Sequence, residues 1–287
     1  MGHPAEVEVL SKALSGIGVD EKSLVSILTK SHHEHKISIR RGCSQLFFED
    51  ERQFERWNDD AIKTLKGEFK RFKNAVVLSL MHPWERDARL LKKALKKGPQ
   101  QYGVIIEIAC TRSSEELLGA RKAYHSLFER SIEEDLAAHI KGSERKLLVA
   151  LVSAYRYEGP KVKGDTAKSE AKALLNAIKN ADKRRLIEDE EVIRILTTRS
   201  KPHLKEVYEQ FKKICGKSIT EVFDTALRVD ANEDAKKALT RLITTQEAGN
   251  LKEVTTKYAH KIEERVKGAY KDVLLGVLAR GEMNGQV

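Results

Sequence analysis

The chain has 287 residues, enough to bury sizeable cores. Its 5 prolines and 6% aromatics, amid abundant Leu, Ala, Lys and Glu, suit an all-α protein and argue against a sheet-rich one. A formal net charge of +10 favours anionic partners, either nucleic acid or anionic lipid. No apolar run is long enough to span a bilayer and no basic-then-apolar leader opens the chain. The 3 scattered cysteines, Cys43, Cys110 and Cys215, lack any paired spacing and read as free thiols of a cytoplasmic protein.

In chain order, Val7, Leu10, Ala13 and Leu14 fall at helical spacing until Gly16-Ile17-Gly18 breaks the pattern. Asp20 then caps a helix with Leu24, Ile27 and Leu28 on one face. Further on, Lys66-Gly67-Glu68-Phe69 leads into an apolar helix through Val76-Val77-Leu78. Pro83 suits the first turn of a helix holding Ala88, Leu91 and Leu95, which Gly98-Pro99 ends. Ser113-Ser114-Glu115-Glu116 supplies a cap and an acidic first turn for a helix through Ala120, Tyr124 and Phe128. Residues 157–169 contain Gly159, Pro160 and Gly164 without an apolar period and read as a linker between halves. Ser200, Lys201 and Pro202 start the helix that matches the one after Ser113.

One phrase recurs along these helices: Ser26-Ile27-Leu28-Thr29-Lys30-Ser31, Glu107-Ile108-Ala109-Cys110-Thr111-Arg112-Ser113 and Arg194-Ile195-Leu196-Thr197-Thr198-Arg199-Ser200, with a worn copy at Arg241-Leu242-Ile243-Thr244-Thr245-Gln246. The closing residue recurs after 82 and 87 positions, then after only 47. A second phrase, at Lys66-Gly67, Lys141-Gly142 and Lys267-Gly268, has no copy in the third period, so roughly 25 residues are missing there. The reading is four repeats: residues 1–81, 82–156, an incomplete 170–218, and 219–287, with 157–169 as the linker.

A helix, tight loop, two helices, a Lys-Gly loop and an apolar helix, repeated four times, resembles the annexin family. Gly16-Ile17-Gly18-Val19-Asp20-Glu21, Trp84-Glu85-Arg86-Asp87-Ala88 and Cys110-Thr111-Arg112 carry the resemblance. Ala123-Tyr124-His125 with Glu133-Glu134-Asp135, and Ala167-Lys168-Ser169-Glu170-Ala171, look like the plant branch. The resemblance implies an all-α fold of four repeats with about five helices each in a curved disc, the third shortened. It further implies a cytoplasmic, peripherally membrane-associated protein that binds anionic phospholipid through Ca2+ held in convex-face loops, with F-actin and self-association on membranes as further partners.

Calcium wants hard oxygen ligands, and a Gly-x-Gly loop can turn carbonyls outward. By the family pattern the metal ligands are the carbonyls of Leu14, Gly16 and Gly18, with the Glu68 carboxylate as cap. Val19 stands where the family has Thr. The glycines also lie about ten residues further than usual from Glu68, and the usual count lands on Asn58 beside Asp59 and Asp60, so those carboxylates stay open as alternative caps. The other repeats have lost the signature: the second reads Lys96-Lys97-Gly98-Pro99-Gln100 and the third Asn180-Ala181-Asp182-Lys183-Arg184-Arg185. Asp230, Asn232 and Asp234 imitate another calcium loop, but Ala235 and Arg241 replace its required Gly and Glu. Several loops have become basic instead, and Lys96, Lys97, Lys183, Arg184, Arg185 and Lys267 read as direct phospholipid contacts.

Four further signals are discounted. Ile193-Arg194-Ile195 looks like a plant-annexin actin phrase but sits in a helix that needs its isoleucines inward. Gly216-Lys217-Ser218 has Phe211 at the first glycine of a phosphate loop and no preceding strand. His32, His33 and His35 read as helix-end histidines, and Asp87 with Arg112 as a buried structural pair. No nucleophilic triad or paired-carboxylate set has interpretable spacing, so no enzyme is expected. The rival reading is a basic all-α repeat protein binding nucleic acid or actin, although nucleic-acid solenoids use shorter repeats.

Overall fold

The computed structural model describes residues 33–68, 77–78, 80–180, 186–219 and 221–222, together with 8–9 and 12. The first glycine loop and the two helices expected to flank it, residues 181–185, and nearly all of the expected fourth repeat therefore lie outside the described residues, apart from 8–9 and 12. The chain divides into two units, residues 1–82 with 250–287, and residues 83–249.

In the first unit, α1 (His33–Gly42) leads into a two-stranded antiparallel hairpin, β1 (Phe47–Glu49) and β2 (Glu55–Trp57), followed by α2 (Asp59–Glu68). The hairpin is an addition to the all-α expectation, and it lies in sequence between the first glycine loop and Glu68. Phe47 faces Trp57 across the ladder with ring centroids 4.3 Å apart, and both are buried with Phe54. Paired aromatics of this kind are what stabilise a short ladder. Asp50 closes the turn: its carbonyl accepts from Gln53 N at 2.8 Å and its carboxylate from Arg52 N at 3.0 Å. Glu55 ties the hairpin to α1, accepting from Arg40 Nε at 3.1 Å and Arg41 Nε at 2.8 Å. Burial pushes the Glu55 carboxyl up, but the two guanidiniums outweigh it and hold it below the usual range.

The regular elements described in the second unit are all helical: α3 (Pro83–Lys97), α4 (Tyr102–Thr111), α5 (Ser114–Phe128), α6 (Ile132–His139), α7 (Arg145–Val152), α8 (Gly164–Asn180), α9 (Glu190–Thr198) and α10 (Lys201–Cys215), with short 3-10 turns at 99–101 and 186–188. Local chemistry sets the boundaries as the sequence predicts. Ala88, Leu91 and Leu95 bury one face of α3, and Gly98 at φ 84 ends it before Pro99. Ser113 and Glu116 form a reciprocal capping box for α5, while Ser131, Asp189 and Ser200 cap α6, α9 and α10. The α3–α5 contact depends on Gly119, where a Cβ would fall 2.1 Å from the Trp84 ring.

The linker expected over 157–169 needs correction. Only residues 153–163 are irregular, and α8 begins at Gly164, because Ala167, Ala171 and Leu174 continue one fully buried stripe. This connection lies inside the second unit, not between the two. Cys43 and Cys110 are buried and none of the three cysteines is bridged. Burial pushes the Cys110 thiol up to about 12, which makes it a packing residue.

Candidate functional site

Hydrogen bonds fix how three helices of the second unit lie. α7 runs straight into the 153–163 connection. Beyond the end of α4, Ser114 Oγ donates to Arg156 O at 2.8 Å and Ser114 N to Glu158 Oε1 at 2.7 Å. At the end of α9, Thr198 O accepts from Tyr157 N at 2.9 Å, and Arg199 O and Leu196 O accept from the Arg156 guanidinium at 2.6 and 2.8 Å. The C-terminal ends of α4, α7 and α9 thus converge on one connection, and since α7 packs against both others, their N-terminal ends share the opposite end of the unit. A helix of eight to ten residues separates the two ends by about 12–15 Å.

That N-terminal end carries the loops which the sequence marks as basic. Lys96 and Lys97 are exposed in the last turn of α3, and Lys141 is exposed before α7. Three positive helix ends point the same way, which adds to the attraction for anions. Lys183, Arg184 and Arg185, in the connection from α8 to the 186–188 turn, and Lys267 lie outside the described residues.

The second-repeat loop does not fit a cation. The Lys97 carbonyl accepts from the Gln100 side-chain amide at 2.6 Å, and the Gly98 carbonyl accepts from Gln101 N at 2.9 Å. Oxygens that would face an ion are engaged by N–H donors beside two ammonium groups. At the next loop, Glu144 is buried with one carboxylate oxygen unpartnered and packed over Gly142, where a Cβ would lie 2.1 Å from that oxygen.

In the first unit, Leu14, Gly16 and Gly18 lie outside the described residues. Glu68 is the last residue of α2, and its side chain is likewise outside the description. The alternative caps sit at the other end of the same helix, where Asn58 Oδ1 accepts from Asp60 N at 2.9 Å, Asp59 pairs with Arg56 at 3.1 Å and Asp60 with Lys63 at 2.9 Å. Asp59 and Asp60 do the work of an acidic helix start. Eight or nine helical steps separate the candidates by about 12–14 Å along the helix, so one ion cannot use both. Among the described residues no group of three or more His, Cys, Asp or Glu side chains is arranged to hold a metal.

The discounted motifs have local partners. Arg112 donates from Nε and Nη2 to Asp87, the latter at 3.0 Å, linking the end of α4 to buried Asp87 on α3. Arg194 donates to Glu170 at 2.9 Å and to Glu191, and of the isoleucines of the Ile-Arg-Ile phrase Ile195 is fully buried while Ile193 is half-buried. Gly216, at φ 74, terminates α10, and Ser218 caps the next turn with Glu221. His33 opens α1, His35 follows half-buried in its first turn, and His32 lies outside the described residues. Sequence reasoning missed the Glu170 cluster, in which Arg194, Arg199 and His203 meet one carboxylate. The repeated Arg before Ser113 and Ser200 was the available signal.

Comparison with known proteins agrees with this architecture. The family profile described as Annexin matches residues 86–151 and 170–242. Annexin D4 of Arabidopsis thaliana is 45% identical over 98% of this chain and 100% of its own length. Annexin-like protein RJ4 of Fragaria ananassa is 36% identical over 96% of the chain and 95% of its own. The Annexin D4 alignment spans 320 positions against 287 residues here, so at least 33 positions have no counterpart in this chain. Among solved structures, annexin III superposes with a TM-score of 0.73 at 23% identity, covering 97% of this chain and 95% of that one. Annexin A8 superposes with a TM-score of 0.67 at 26% identity, covering 96% and 80%.

Proposed function

Since this chain belongs to the annexin family, in its plant branch, we propose that it binds anionic phospholipid bilayers peripherally from the cytoplasm, partly through calcium and partly without it. Annexins as a family bind membrane phospholipid in a calcium-dependent way and are generally not enzymes. No helix among the described residues is long and apolar enough to cross a membrane. The Leu14, Gly16 and Gly18 carbonyls with the Glu68 carboxylate would hold calcium, which when bound supplies positive charge for lipid phosphate. Lys96, Lys97, Lys183, Arg184, Arg185 and Lys267 would meet headgroups directly.

The observation that carries the calcium-independent part is the second-repeat loop. Its carbonyls are engaged by Gln100 and Gln101, while Lys96 and Lys97 stand exposed beside converging helix N-termini. Each basic residue near an anionic surface contributes about 1 kcal/mol, so reversing both charges should weaken calcium-free binding by roughly 30-fold or more. Cosedimentation with phosphatidylserine vesicles, with and without calcium, tests this on wild type, Glu68→Gln and the pair Lys96→Glu and Lys97→Glu. Calcium-dependent binding should fall in Glu68→Gln and calcium-free binding in the lysine pair. Binding by neither route, with steeply salt-dependent RNA affinity, would favour the nucleic-acid reading instead.

A further inference from the structure

The Lys-Gly phrase ends on an aromatic in two of its three copies, Phe69 after Lys66-Gly67-Glu68 and Tyr270 after Lys267-Gly268-Ala269. The copy before α7 ends on Glu144 instead, and Glu144 is nonetheless buried, at 3% exposure. Its Oε2 has no hydrogen-bond donor among the described residues, and at the start of α7 its side chain makes no cap bond. An unpaired carboxylate shut away from water is costly, and a ligand that brings the donor removes that cost. Oε2 and Oε1 lie 2.1 and 2.5 Å from where a Gly142 Cβ would stand, so only a residue without a side chain leaves them this place. Gly142 itself is exposed, as are Lys141, Arg145 and Lys146 around it.

The partner this carboxylate lacks is a cation that donates hydrogen bonds. A calcium ion wants about six to eight oxygens, and the carbonyls nearest in sequence are engaged. Gly142 O accepts from Arg145 N at 3.2 Å, Glu144 O accepts from Leu148 N at 3.0 Å, and Asp135 O lies 2.8 Å from His139 Nδ1. An ammonium needs no such cage, because it brings its own donors to a single carboxylate. A headgroup with phosphate alone is drawn by Lys141, Arg145 and Lys146 but repelled by Glu144. One that carries an ammonium beside its phosphate satisfies both signs of charge. The loop stands at the same end of the unit as Lys96 and Lys97, the residues set against headgroups in the function proposed above.

We propose that Glu144 accepts the headgroup ammonium of an aminophospholipid whose phosphate meets Lys141, Arg145 and Lys146, so that the second repeat selects phosphatidylserine over anionic lipids without an amine. This selection rests on the lipid-binding function proposed above and names the headgroup which that function takes. The test is cosedimentation of the full chain with phosphatidylcholine vesicles carrying an equal fraction of phosphatidylserine or phosphatidylglycerol, matched in charge, with and without calcium. Wild type should favour phosphatidylserine by about five-fold or more, and Glu144→Gln should bring the ratio within about two-fold of unity, because a charge-assisted hydrogen bond and a repulsion are lost together. Glu144→Phe, which restores the aromatic of the first copy, should do the same without lowering the Tm, which separates lost selection from a disrupted loop. Lys96→Glu with Lys97→Glu should weaken binding to both lipids alike and leave the ratio standing. Equal binding of both lipids by wild type, or a preference that Glu144→Gln keeps, overturns the proposal. A wild type that sediments with neither vesicle in the absence of calcium overturns the calcium-free function. A phosphatidylserine preference seen with calcium and lost in Glu144→Gln would then uphold the Glu144 contact by itself. Sedimentation with neither vesicle under either condition overturns both.

Discussion

Asp87 on α3 and Glu170 on α8 occupy equivalent places in successive repeats, and each receives the arginine that closes the following repeated phrase, Arg112 or Arg199. The second-repeat pair is simple: Arg112 grips both oxygens of Asp87, and Arg86 approaches to 3.7 Å. Glu170 gathers a cluster. Arg199 and Arg194 donate to its Oε1 and His203 Nε2 lies 2.9 Å from its Oε2. Both carboxylates are buried and both tie a first helix to the junction before the third. The same fold position therefore carries either a single bidentate pair or a hub, and its neighbours decide which: Glu107 and Glu116 stand in the second repeat where Arg194 and His203 stand in the third.

Removing each carboxylate should expose the difference. Glu170→Ala leaves two guanidiniums and buried His203 without their shared acceptor and should lower the unfolding free energy by about 3–5 kcal/mol. Asp87→Ala strands partly solvated Arg112 and removes the nearby counter-charge of Arg86, and should cost about 2 kcal/mol. Urea melts of the two variants read this order, and equal losses would erase the distinction.

Acid should sharpen it. Burial alone would raise the Glu170 carboxyl, but hydrogen bonds from Arg199, Arg194 and His203 outweigh burial and hold it below its ordinary value of 4.5. The unfolded chain thus takes up this proton at higher pH than the folded one. The contribution is complete above the ordinary carboxylate range and is lost as pH falls through the depressed folded value, so stability rises with pH on the acid side and levels off above about pH 6. Glu55 is depressed by Arg41 and Arg40, and Asp135 by Lys92, Tyr124 and Arg130, each against an opposing burial effect. Glu170→Gln should therefore reduce the acid-side slope without abolishing it, as read from denaturant midpoints across a pH series.

The smallest expected effect is the most diagnostic of side-chain length. Glu170→Asp should keep one arginine and lose the reach to His203, costing about 1 kcal/mol, or a Tm drop of about 2–4 °C. No change in Tm would mean that the hub gains nothing over the simple pair.

Much of the fold was legible because its signals are local. Caps at Ser113 and Ser200, the stop at Gly98-Pro99 and the apolar stripe of α3 act within a few residues, and they fall where expected. The repeated phrases pointed to the family because each copy must place the same buried positions. Less local features escaped. The 47–57 hairpin, with no alternation strong enough to declare it, depends on Phe47 meeting Trp57 across a turn. The opening turns of α8 looked like linker because glycine and lysine dilute a stripe that only burial of Ala167 and Ala171 makes visible.

The amino-acid sequence by itself determined an all-α repeat protein of the annexin family, the capped starts at Ser113 and Ser200, the stop at Gly98-Pro99 and the basic character of its loops, since propensity, capping and charge are properties of short segments. Only the tertiary structure decided that α4, α7 and α9 end on one connection, which puts Lys96, Lys97 and Lys141 at one end of the unit and Tyr155 and Tyr157 at the other. It also decided that Arg194, Arg199 and His203 meet at Glu170. Those outcomes depend on which helix ends converge, a consequence of packing among residues some 25 to 45 positions apart that no window of local sequence contains.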